Sequence, residues 1–269
     1  MDTDSEWERW GAKDPYFGVR TEERFRKGNM TAEIKKEFFD SGKSLIDHVI
    51  DQSRRHLDAD FEPQRALDFG CGTGRMVIPL SRICKEAVGV DVSESMLREA
   101  ENNCREFSIE NVSLYKADDS LSCVSGRFDF IHSYIVFQHI PADRGRQIFI
   151  NLIDHLDDGG ICVVHFTYAK TIFSDNHGAP PATPVILPES ATRQFLDYLM
   201  SIFKPRIARN SSELLEANDG DPQMQMNSYD MNAILFLVQS VGVVDFHIEF
   251  KDHGGELGVI LFFQKPKMS

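Results

Sequence analysis

A run of alternating glycines is the part of this sequence with the clearest chemical meaning. Residues 67–75 read LDFGCGTGR, with glycine at Gly70, Gly72 and Gly74. Glycine removes the Cβ atom where a ligand must contact the backbone, and it permits positive φ angles in a tight turn. Asp91 lies at the end of the next expected strand, where an acid in a doubly wound fold faces ribose hydroxyls. This combination predicts a nucleoside-binding site.

The spacing of the glycines separates two classes of nucleoside cofactor. The dinucleotide fingerprint G-x-G-x-x-G requires glycine at the position that Arg75 occupies. The G-x-G-x-G spacing therefore argues against a nicotinamide oxidoreductase. That class stays open as an alternative that NAD binding would support.

Strands and helices are expected to alternate around this loop. Short apolar runs predict strands at 65–69, 87–91, 112–116, 128–137 and 160–167. Periodic or capped segments predict helices between them at 74–84, 93–107 and 142–156. This alternation is typical of βαβ units, in which helices cover both faces of a parallel sheet.

The end of the chain predicts a last addition to the sheet. A helix is expected at 229–241, and a short glycine-containing link joins two strands at 243–250 and 257–263. Such a link is typical of a hairpin, so the last strand should be antiparallel to its neighbour. We therefore expect an α/β fold, with a Rossmann-like, doubly wound, mostly parallel seven-stranded sheet and an antiparallel last strand.

Two regions do not follow the alternation. The first is a polar N-terminal segment with scattered aromatic residues. It is followed by a helical stripe, which Ser41 and Gly42 are placed to interrupt, and together they predict a helical cap. A long irregular region after the fifth strand is expected to be an insertion that serves as a substrate lid and moves on ligand binding. The expected division into cap, nucleoside-binding core, lid, and C-terminal helix with hairpin is 1–57, 58–167, 168–228 and 229–269.

These motifs together closely resemble the class I S-adenosylmethionine-dependent methyltransferases. The resemblance covers residues 60–167 and, less specifically, the C-terminal helix and hairpin. The matching segments are the glycine loop with Asp91, and residues 90–97, 115–119, 128–131 and 156–160. The resemblance implies S-adenosylmethionine as the methyl donor and S-adenosylhomocysteine as the product.

The resemblance also implies roles for the residues of the glycine loop. Gly70, Gly72 and Gly74 would shape the loop around the cofactor. Asp68 would anchor the loop or contact the methionine end of the cofactor.

A second group of roles follows from the segments after the second and third strands. The resemblance implies that Asp91 binds the ribose, with Val92 beside it. It implies that Asp118 contacts the adenine amino group, with the Asp119 amide nearby. Met96 resembles the residue that packs on adenine, although a methionine on a helix can equally fill a gap in the core.

A methyl transfer to a hydroxyl requires a base, and histidine is the usual base near neutral pH. His253 lies in the link between the last two strands, where Asp252 could orient and charge it. His139 follows the fourth strand, where it could instead only cap the loop. His165, within the fifth strand, is more typical of a core histidine. We take His253 as the first candidate for the base and His139 as the second.

Two further patterns narrow the chemistry. Residues 132–135 read HSYI where many amino-group methyltransferases carry Asn/Asp-Pro-Pro-Tyr, which argues against N-methylation of a nucleobase or glutamine. No His, Asp and Glu cluster in the sequence has a metal-ligand spacing, so no metal is expected.

The composition limits the class of protein. Apolar residues make up 42% and charged residues 26% of the chain, which is ordinary for a globular enzyme. The net charge is −13 without any run of Lys or Arg, which disfavours a nucleic-acid partner. Five cysteines without a C-x-x-C pair indicate reduced thiols in a cytoplasmic protein. We expect neither a signal peptide nor a membrane span, and the oligomeric state is left open.

These observations lead to an expected function. We expect a cytoplasmic methyltransferase for a small or medium-sized acceptor, with O-methylation slightly preferred. Aromatic residues of the cap either line an apolar acceptor pocket or pack the cap against the sheet, and they include Phe173, Phe195, Tyr198, Phe203 and Tyr229. Two alternatives stay open: a methyltransferase for protein side chains, with an open groove, and a module that binds the cofactor without catalysis.

Overall fold

One seven-stranded sheet forms the centre of the protein, in a computed structural model that describes residues 2–170 and 220–267. The strands are β1 (Arg65–Phe69), β2 (Glu86–Asp91), β3 (Val112–Lys116), β4 (Phe128–Ser133), β5 (Leu156–Lys170), β6 (Phe246–Asp252) and β7 (Glu256–Gln264). They lie in the order β3-β2-β1-β4-β5-β7-β6. Neighbours from β3 to β5 are parallel, and β7 is antiparallel to both β5 and β6. The predicted fold class is confirmed, including the antiparallel last strand.

Helices cover both faces of this sheet. They are α1 (Thr3–Lys13), α2 (Pro15–Val19), α3 (Ala32–His56), α4 (Val77–Ser81), α5 (Glu94–Glu106), α6 (Ala142–Asp154) and α7 (Met231–Ser240). Helices α3, α4 and α5 pack on one face, and α6 and α7 pack on the other. In the described parts of the chain, no helix is long and apolar enough to cross a membrane.

Alternating side chains of the strands fill the two layers between sheet and helices. On β7, Leu261 and Phe263 enter the layer under α6 and α7, whereas Ile260 and Phe262 enter the layer under α3, α4 and α5. All four side chains are buried. The period of two is the geometry of a strand, and burying each such side chain stabilises the fold by about 1.5–3 kcal/mol.

The glycine loop shortens the helix that follows it. The sequence predicts a helix over 74–84, but α4 spans only Val77–Ser81. Gly70, Gly72 and Gly74 have φ angles of 75°, 52° and 91°, which a right-handed helix excludes. Helix α4 therefore begins only after this turn, whose positive φ angles glycine adopts without steric strain.

The fourth strand is shorter than its apolar run predicts. The run covers 128–137, but β4 ends at Ser133 because Ile135 adopts a positive φ of 58°. Residues 137–139 then form a single 3₁₀ turn. The fifth strand, in contrast, extends beyond the predicted 160–167 at both ends.

Helix α3 continues through Ser41 and Gly42, where the sequence suggests an interruption. A Cβ atom on Gly42 would lie 2.1 Å from the carbonyl oxygen of Arg75. Gly42 therefore marks the place where α3 crosses the glycine loop at backbone contact distance. The glycine serves this close approach and does not end the helix.

The N-terminal segment packs across α5. Trp10 of α1 and Phe17 of α2 lie with ring centroids 5.5 Å apart and form a small cluster with Met96 of α5. The carboxylate of Glu8 accepts a hydrogen bond of 2.8 Å from the hydroxyl of Ser93. An acid at this position also suits the N-terminal end of α5, where backbone N–H groups favour negative charge.

Most of the predicted lid lies outside the described residues, which exclude 171–219. The aromatic residues of that region are Phe173, Phe195, Tyr198 and Phe203. Tyr229, the remaining member of the predicted pocket, is buried in the core. Its hydroxyl lies 3.0 Å from the carbonyl oxygen of Phe137 and 2.9 Å from that of Ile140. Of the two alternatives for these aromatic residues, an acceptor pocket or packing against the sheet, Tyr229 therefore follows the second.

Candidate functional site

A cavity opens at the carboxyl ends of β1, β2, β3 and β4. The strand order reverses between β1 and β4, so the cavity lies at the switch point where doubly wound sheets bind ligands. Its empty space is about 900 Å³ when the open solvent at its mouth is counted with it. The glycine loop, the ends of β2 and β3, the bend after β4, and residues of α1 and α2 line it.

The glycine loop contributes Gly70 and Gly72 to the cavity wall. A Cβ atom on Gly70 would lie 2.4 Å from the Val136 side chain, and one on Gly72 would lie 2.9 Å from that of Val19. Gly74 is not on the wall of this cavity, and a Cβ there would meet α4 and α5 side chains. Two of the three predicted glycines therefore border the cavity, and the third permits close packing behind it.

Asp91 joins the end of β2 to this loop. One carboxylate oxygen accepts a hydrogen bond of 2.8 Å from the Gly72 amide, and the other accepts one of 2.9 Å from the Ser93 amide. Burial raises the pKa of Asp91 to about 6. A carboxylate has about four acceptor positions, so Asp91 retains capacity for ligand hydroxyls at the cavity wall.

Asp68 is buried behind the loop and does not line the cavity. One of its oxygens lies 2.9 Å from Nδ1 of His132 on the neighbouring strand. The other oxygen and His132 Nε2 have no hydrogen-bond partner among the described residues. This contact is with β4, so the two roles that the family resemblance implies for Asp68, an anchor of the loop or a contact with the methionine end, stay predictions.

Asp118 lies on the cavity wall, but its carboxylate is bound by its own loop. It accepts hydrogen bonds from the amide (2.9 Å) and hydroxyl (2.8 Å) of Ser120 and from the amide (3.0 Å) and hydroxyl of Ser122. These bonds, led by the Ser122 hydroxyl, lower the pKa of Asp118 to about 2. The side chain fixes the shape of the loop after β3.

Asp119 and Asp4 bind the same guanidinium. Arg144 of α6 lies 2.7 Å from the carboxylate of Asp119 and 2.7 Å from that of Asp4 on α1. This bridge connects the N-terminal helix to the loop after β3, and all three residues line the cavity. The sequence analysis missed Arg144 and Asp4, because neither belongs to a motif and they are 140 positions apart.

The segment after β2 meets α1 at the same end of the cavity. Val92 and Met96 line the wall, and Trp7 of α1 is a further wall residue. Met96 also packs in the cluster of Trp10 and Phe17, which agrees with its interpretation as a core residue, whereas its packing on adenine stays a prediction. The aromatic residues of the N-terminal segment were the signal that could have identified Trp7.

His139 lies on the cavity wall with both ring nitrogens engaged. Nδ1 donates to the carbonyl oxygen of Gln225 at 2.8 Å, and Nε2 lies 3.2 Å from the side-chain nitrogen of Gln138. Burial lowers the pKa of His139 to about 4. This imidazole is therefore neutral near pH 7 and is held in one tautomer by its neighbours.

His253 lies beside the cavity and not on its wall. Its ring centroid is 6.0 Å from that of Tyr134, which lines the cavity, and 5.0 Å from that of His165. His253 Nε2 and both ring nitrogens of His165 have no hydrogen-bond partner among the described residues. Burial lowers the pKa of His253 and lowers that of His165 to about 3.

Asp252 does not orient His253 as the sequence suggested. Its carboxylate accepts a hydrogen bond of 2.7 Å from the Gly255 amide and so stabilises the turn between β6 and β7. Its charge still raises the pKa of His253, although burial has the larger effect. Among the described residues, no group of three or more His, Cys, Asp and Glu side chains could hold a metal ion.

Comparison with known proteins gives both a domain family and relatives. The family described as “Methyltransferase domain” matches residues 66–160. A 23S rRNA (uracil(1939)-C(5))-methyltransferase of Alkalilimnicola ehrlichii is 32% identical over 120 residues, which are 43% of this chain and 24% of the relative. The protein of the same name from Aeromonas salmonicida is 43% identical over 54 residues, 20% of this chain and 12% of the relative. The match therefore covers a quarter or less of the length of these relatives.

Solved structures share the fold at low sequence identity. The magnesium protoporphyrin IX methyltransferase of Synechocystis PCC 6803 with bound S-adenosylmethionine has 14% identity and a TM-score of 0.59, covering 98% of each chain. The N-methyltransferase NodS of Bradyrhizobium japonicum WM9 with S-adenosylhomocysteine has 14% identity and a TM-score of 0.55, covering 99% of this chain and 100% of that chain.

The sheet order, the glycine loop and Asp91 define a doubly wound α/β protein with a nucleoside site. With the match of residues 66–160, they show that the chain contains a methyltransferase domain, which resembles the class I S-adenosylmethionine-dependent methyltransferases. The cofactor of this family is S-adenosylmethionine. The cavity fits such a ligand for two reasons. Gly70 and Gly72 keep its wall free of Cβ atoms, which would overlap neighbouring side chains there, and Asp91 is a buried acceptor.

Proposed function

We propose that this chain transfers a methyl group from S-adenosylmethionine to an oxygen atom of a small or medium-sized acceptor. The observation that carries the proposal is the joining of Asp91 to the glycine loop at the switch point of the sheet. When bound, the cofactor supplies a methyl group on a positively charged sulfur.

The cofactor would lie along the carboxyl ends of β3, β2, β1 and β4, where residues that follow these strands would hold it. Gly70 and Gly72 let the backbone approach it, and Asp91 accepts hydrogen bonds from its ribose hydroxyls. Met96 and Trp7 border the end that would take the adenine ring. The loop that Asp118 stabilises, together with the Asp119 amide and Val92, completes this end.

The acceptor would lie next to Tyr134, at the end of the cavity nearest β5. His253 is the proposed general base, because its lowered pKa keeps it able to accept a proton near pH 7 and its Nε2 is not engaged by a described residue. Tyr134 lies between it and the cavity, so the acceptor hydroxyl must come within hydrogen-bond reach past this ring. His139 ranks second, because both of its nitrogens already have partners.

An RNA acceptor is the second candidate, since the sequence relatives are named as 23S rRNA methyltransferases. The net charge of −13 opposes it, because RNA binding requires basic groups that neutralise phosphates. The likeness of the fold to that of a magnesium protoporphyrin IX methyltransferase supports a small acceptor instead.

Calorimetry and a labelling assay test the proposal. S-adenosylhomocysteine should bind the full chain and NAD should not. With S-adenosylmethionine carrying a labelled methyl group, label should enter a pool of hydroxylated small molecules and not ribosomal RNA. Binding of NAD without binding of S-adenosylhomocysteine would refute the cofactor, and label in RNA alone would select the second candidate.

A further inference from the structure

Arg75 is a largely buried cation on the wall of the cavity. Its Nη1 makes one long hydrogen bond, 3.3 Å, to the hydroxyl of Ser41, and its Nε is buried without a partner among the described residues. Burial, with a smaller effect from the nearby charge of Arg20, lowers the pKa of Arg75 to about 10. This guanidinium therefore has a buried donor group that no described residue satisfies.

The second arginine on the cavity wall shows what Arg75 lacks. Arg144 forms ion pairs with the carboxylates of Asp4 and Asp119. Arg75 forms no ion pair with any carboxylate of the described residues, although Asp68 and Glu22 lie near enough to favour its charge. The nearby Arg20 is itself paired with Glu22. Among the described residues, Arg75 is thus a cation on the cavity wall without a carboxylate partner, a position that suits an anionic group of a ligand.

The order of the strands locates this cation along the cavity. Asp118 follows β3, Asp91 ends β2, the glycine loop follows β1 and Tyr134 follows β4. Arg75 lies close enough to Tyr134 for their charges to interact. It is thus on the β1 and β4 side of the cavity, whereas Asp91 and Asp118, proposed for ribose and adenine, follow β2 and β3.

We propose that Arg75 binds the carboxylate of the methionine part of the cofactor and so positions that end of the ligand. This inference rests on the proposed function, since it assumes the same ligand in the same cavity. The planar guanidinium suits a carboxylate because it offers parallel N–H donors to both oxygens. The backbone of Arg75 is packed against α3, because Gly42 lets the helix approach the Arg75 carbonyl group closely.

Calorimetry with two ligands tests the role of Arg75 without any acceptor. The first ligand is S-adenosylhomocysteine, and the second is its decarboxylated form, 5′-deoxy-5′-(3-aminopropylthio)adenosine, which keeps the amine. Arg75→Met should weaken binding of the first by about ten- to a hundredfold, as expected for a lost charged hydrogen bond. It should leave binding of the second unchanged or tighter, because an ammonium group no longer meets a cation. Arg75→Lys should recover part of the preference for the carboxylate.

Each other result overturns the inference. Equal weakening of both ligands would mean that Arg75 only supports the loop, and unchanged binding of both would place the carboxylate elsewhere. Arg82→Met removes an exposed arginine beyond α4 as a matched control and should bind both ligands like the unmodified chain. If the unmodified chain binds neither ligand, the proposed function fails, and this outcome is distinct from a failure at Arg75.

Discussion

The carboxylate of Asp91 accepts a hydrogen bond of 2.8 Å from the backbone amide of Gly72. This contact holds the glycine loop against the end of β2 and keeps a buried acid at the cavity wall. The acid is costly to ionise in this position, since burial raises its pKa to about 6. The affinity of the site for a nucleoside should therefore depend on pH near this value.

The first prediction concerns the pH dependence of S-adenosylhomocysteine binding. Ribose hydroxyls that donate to ionised Asp91 lower its pKa in the complex, so affinity should be constant well above pH 6. It should fall by up to about tenfold per pH unit as the pH drops below 6. Calorimetry from pH 5 to 8 measures this change.

Two variants control this experiment. Asp91→Asn should bind about ten- to a hundredfold more weakly at pH 8 and lose the dependence. Asp143→Asn, on an exposed part of α6, should match the unmodified chain. A flat profile in the unmodified chain, or the same profile in Asp91→Asn, would show that the ribose does not meet Asp91.

The second prediction concerns the bridge from Arg144 to Asp4 and Asp119. Arg144→Met should detach α1 from the loop after β3, so that hydrogen exchange in α1 becomes faster. The loss of unfolding free energy should be only about 1 kcal/mol, because the three groups are partly exposed. S-adenosylhomocysteine should bind more weakly, since α1 supplies Trp7 to the cavity.

Arg146→Met is the matched control for Arg144, because it removes an exposed ion pair with Asp143 on the same helix. It should leave the exchange in α1 and the affinity unchanged. If hydrogen exchange in α1 is no faster in Arg144→Met than in this control, the ion pairs of Arg144 do not hold the helix in place.

The third prediction concerns the crossing of α3 over the glycine loop. Gly42→Ala places a methyl group 2.1 Å from the Arg75 carbonyl oxygen, and relieving this overlap should cost roughly 2 kcal/mol or more of unfolding free energy. This cost exceeds the gain of about 1 kcal/mol that alanine brings to a helix interior. Urea unfolding measures the difference.

Gly28→Ala is the corresponding control, since no atom lies within 4 Å of a Cβ atom there. Its stability should change by about 0.5 kcal/mol or less. Equal stability of the two alanine variants would mean that α3 moves away from the loop at no cost.

The fourth prediction separates the two candidate bases once an acceptor is found. His253→Gln should lower kcat by about a hundredfold or more for a hydroxyl acceptor, with S-adenosylhomocysteine binding unchanged. His139→Gln should lower kcat by less than about tenfold but destabilise the fold by about 1–3 kcal/mol, because it disturbs two buried hydrogen bonds. Steady-state kinetics and urea unfolding measure both effects. A near-normal kcat of His253→Gln would remove it as the base.

The fold was predictable where the determinants are local in sequence. Apolar runs placed the strands, and the spacing of Gly70, Gly72 and Gly74 with Asp91 identified the loop and its acid. The end of β4 was misplaced because the positive φ of Ile135 leaves no mark in the residue type.

The contacts between distant elements could not be predicted in this way. Arg144 meets Asp4 only after the N-terminal segment has packed on the core. Gly42 was taken as a helix breaker because its true neighbour, the Arg75 carbonyl, belongs to another element. Asp252 was assigned to His253 from adjacency alone, yet its carboxylate bonds within its own turn.

The position of β7 has a consequence for synthesis on the ribosome. β7 pairs with β5, and Gln264 lies opposite Ile161 in the register. While the residues between these two strands are being made, one edge of β5 has no strand beside it, and an unpaired edge is a template for pairing with another chain. The sheet should therefore close only after β7 has left the ribosome, and nascent chains stalled before residue 256 should need a chaperone to stay monomeric.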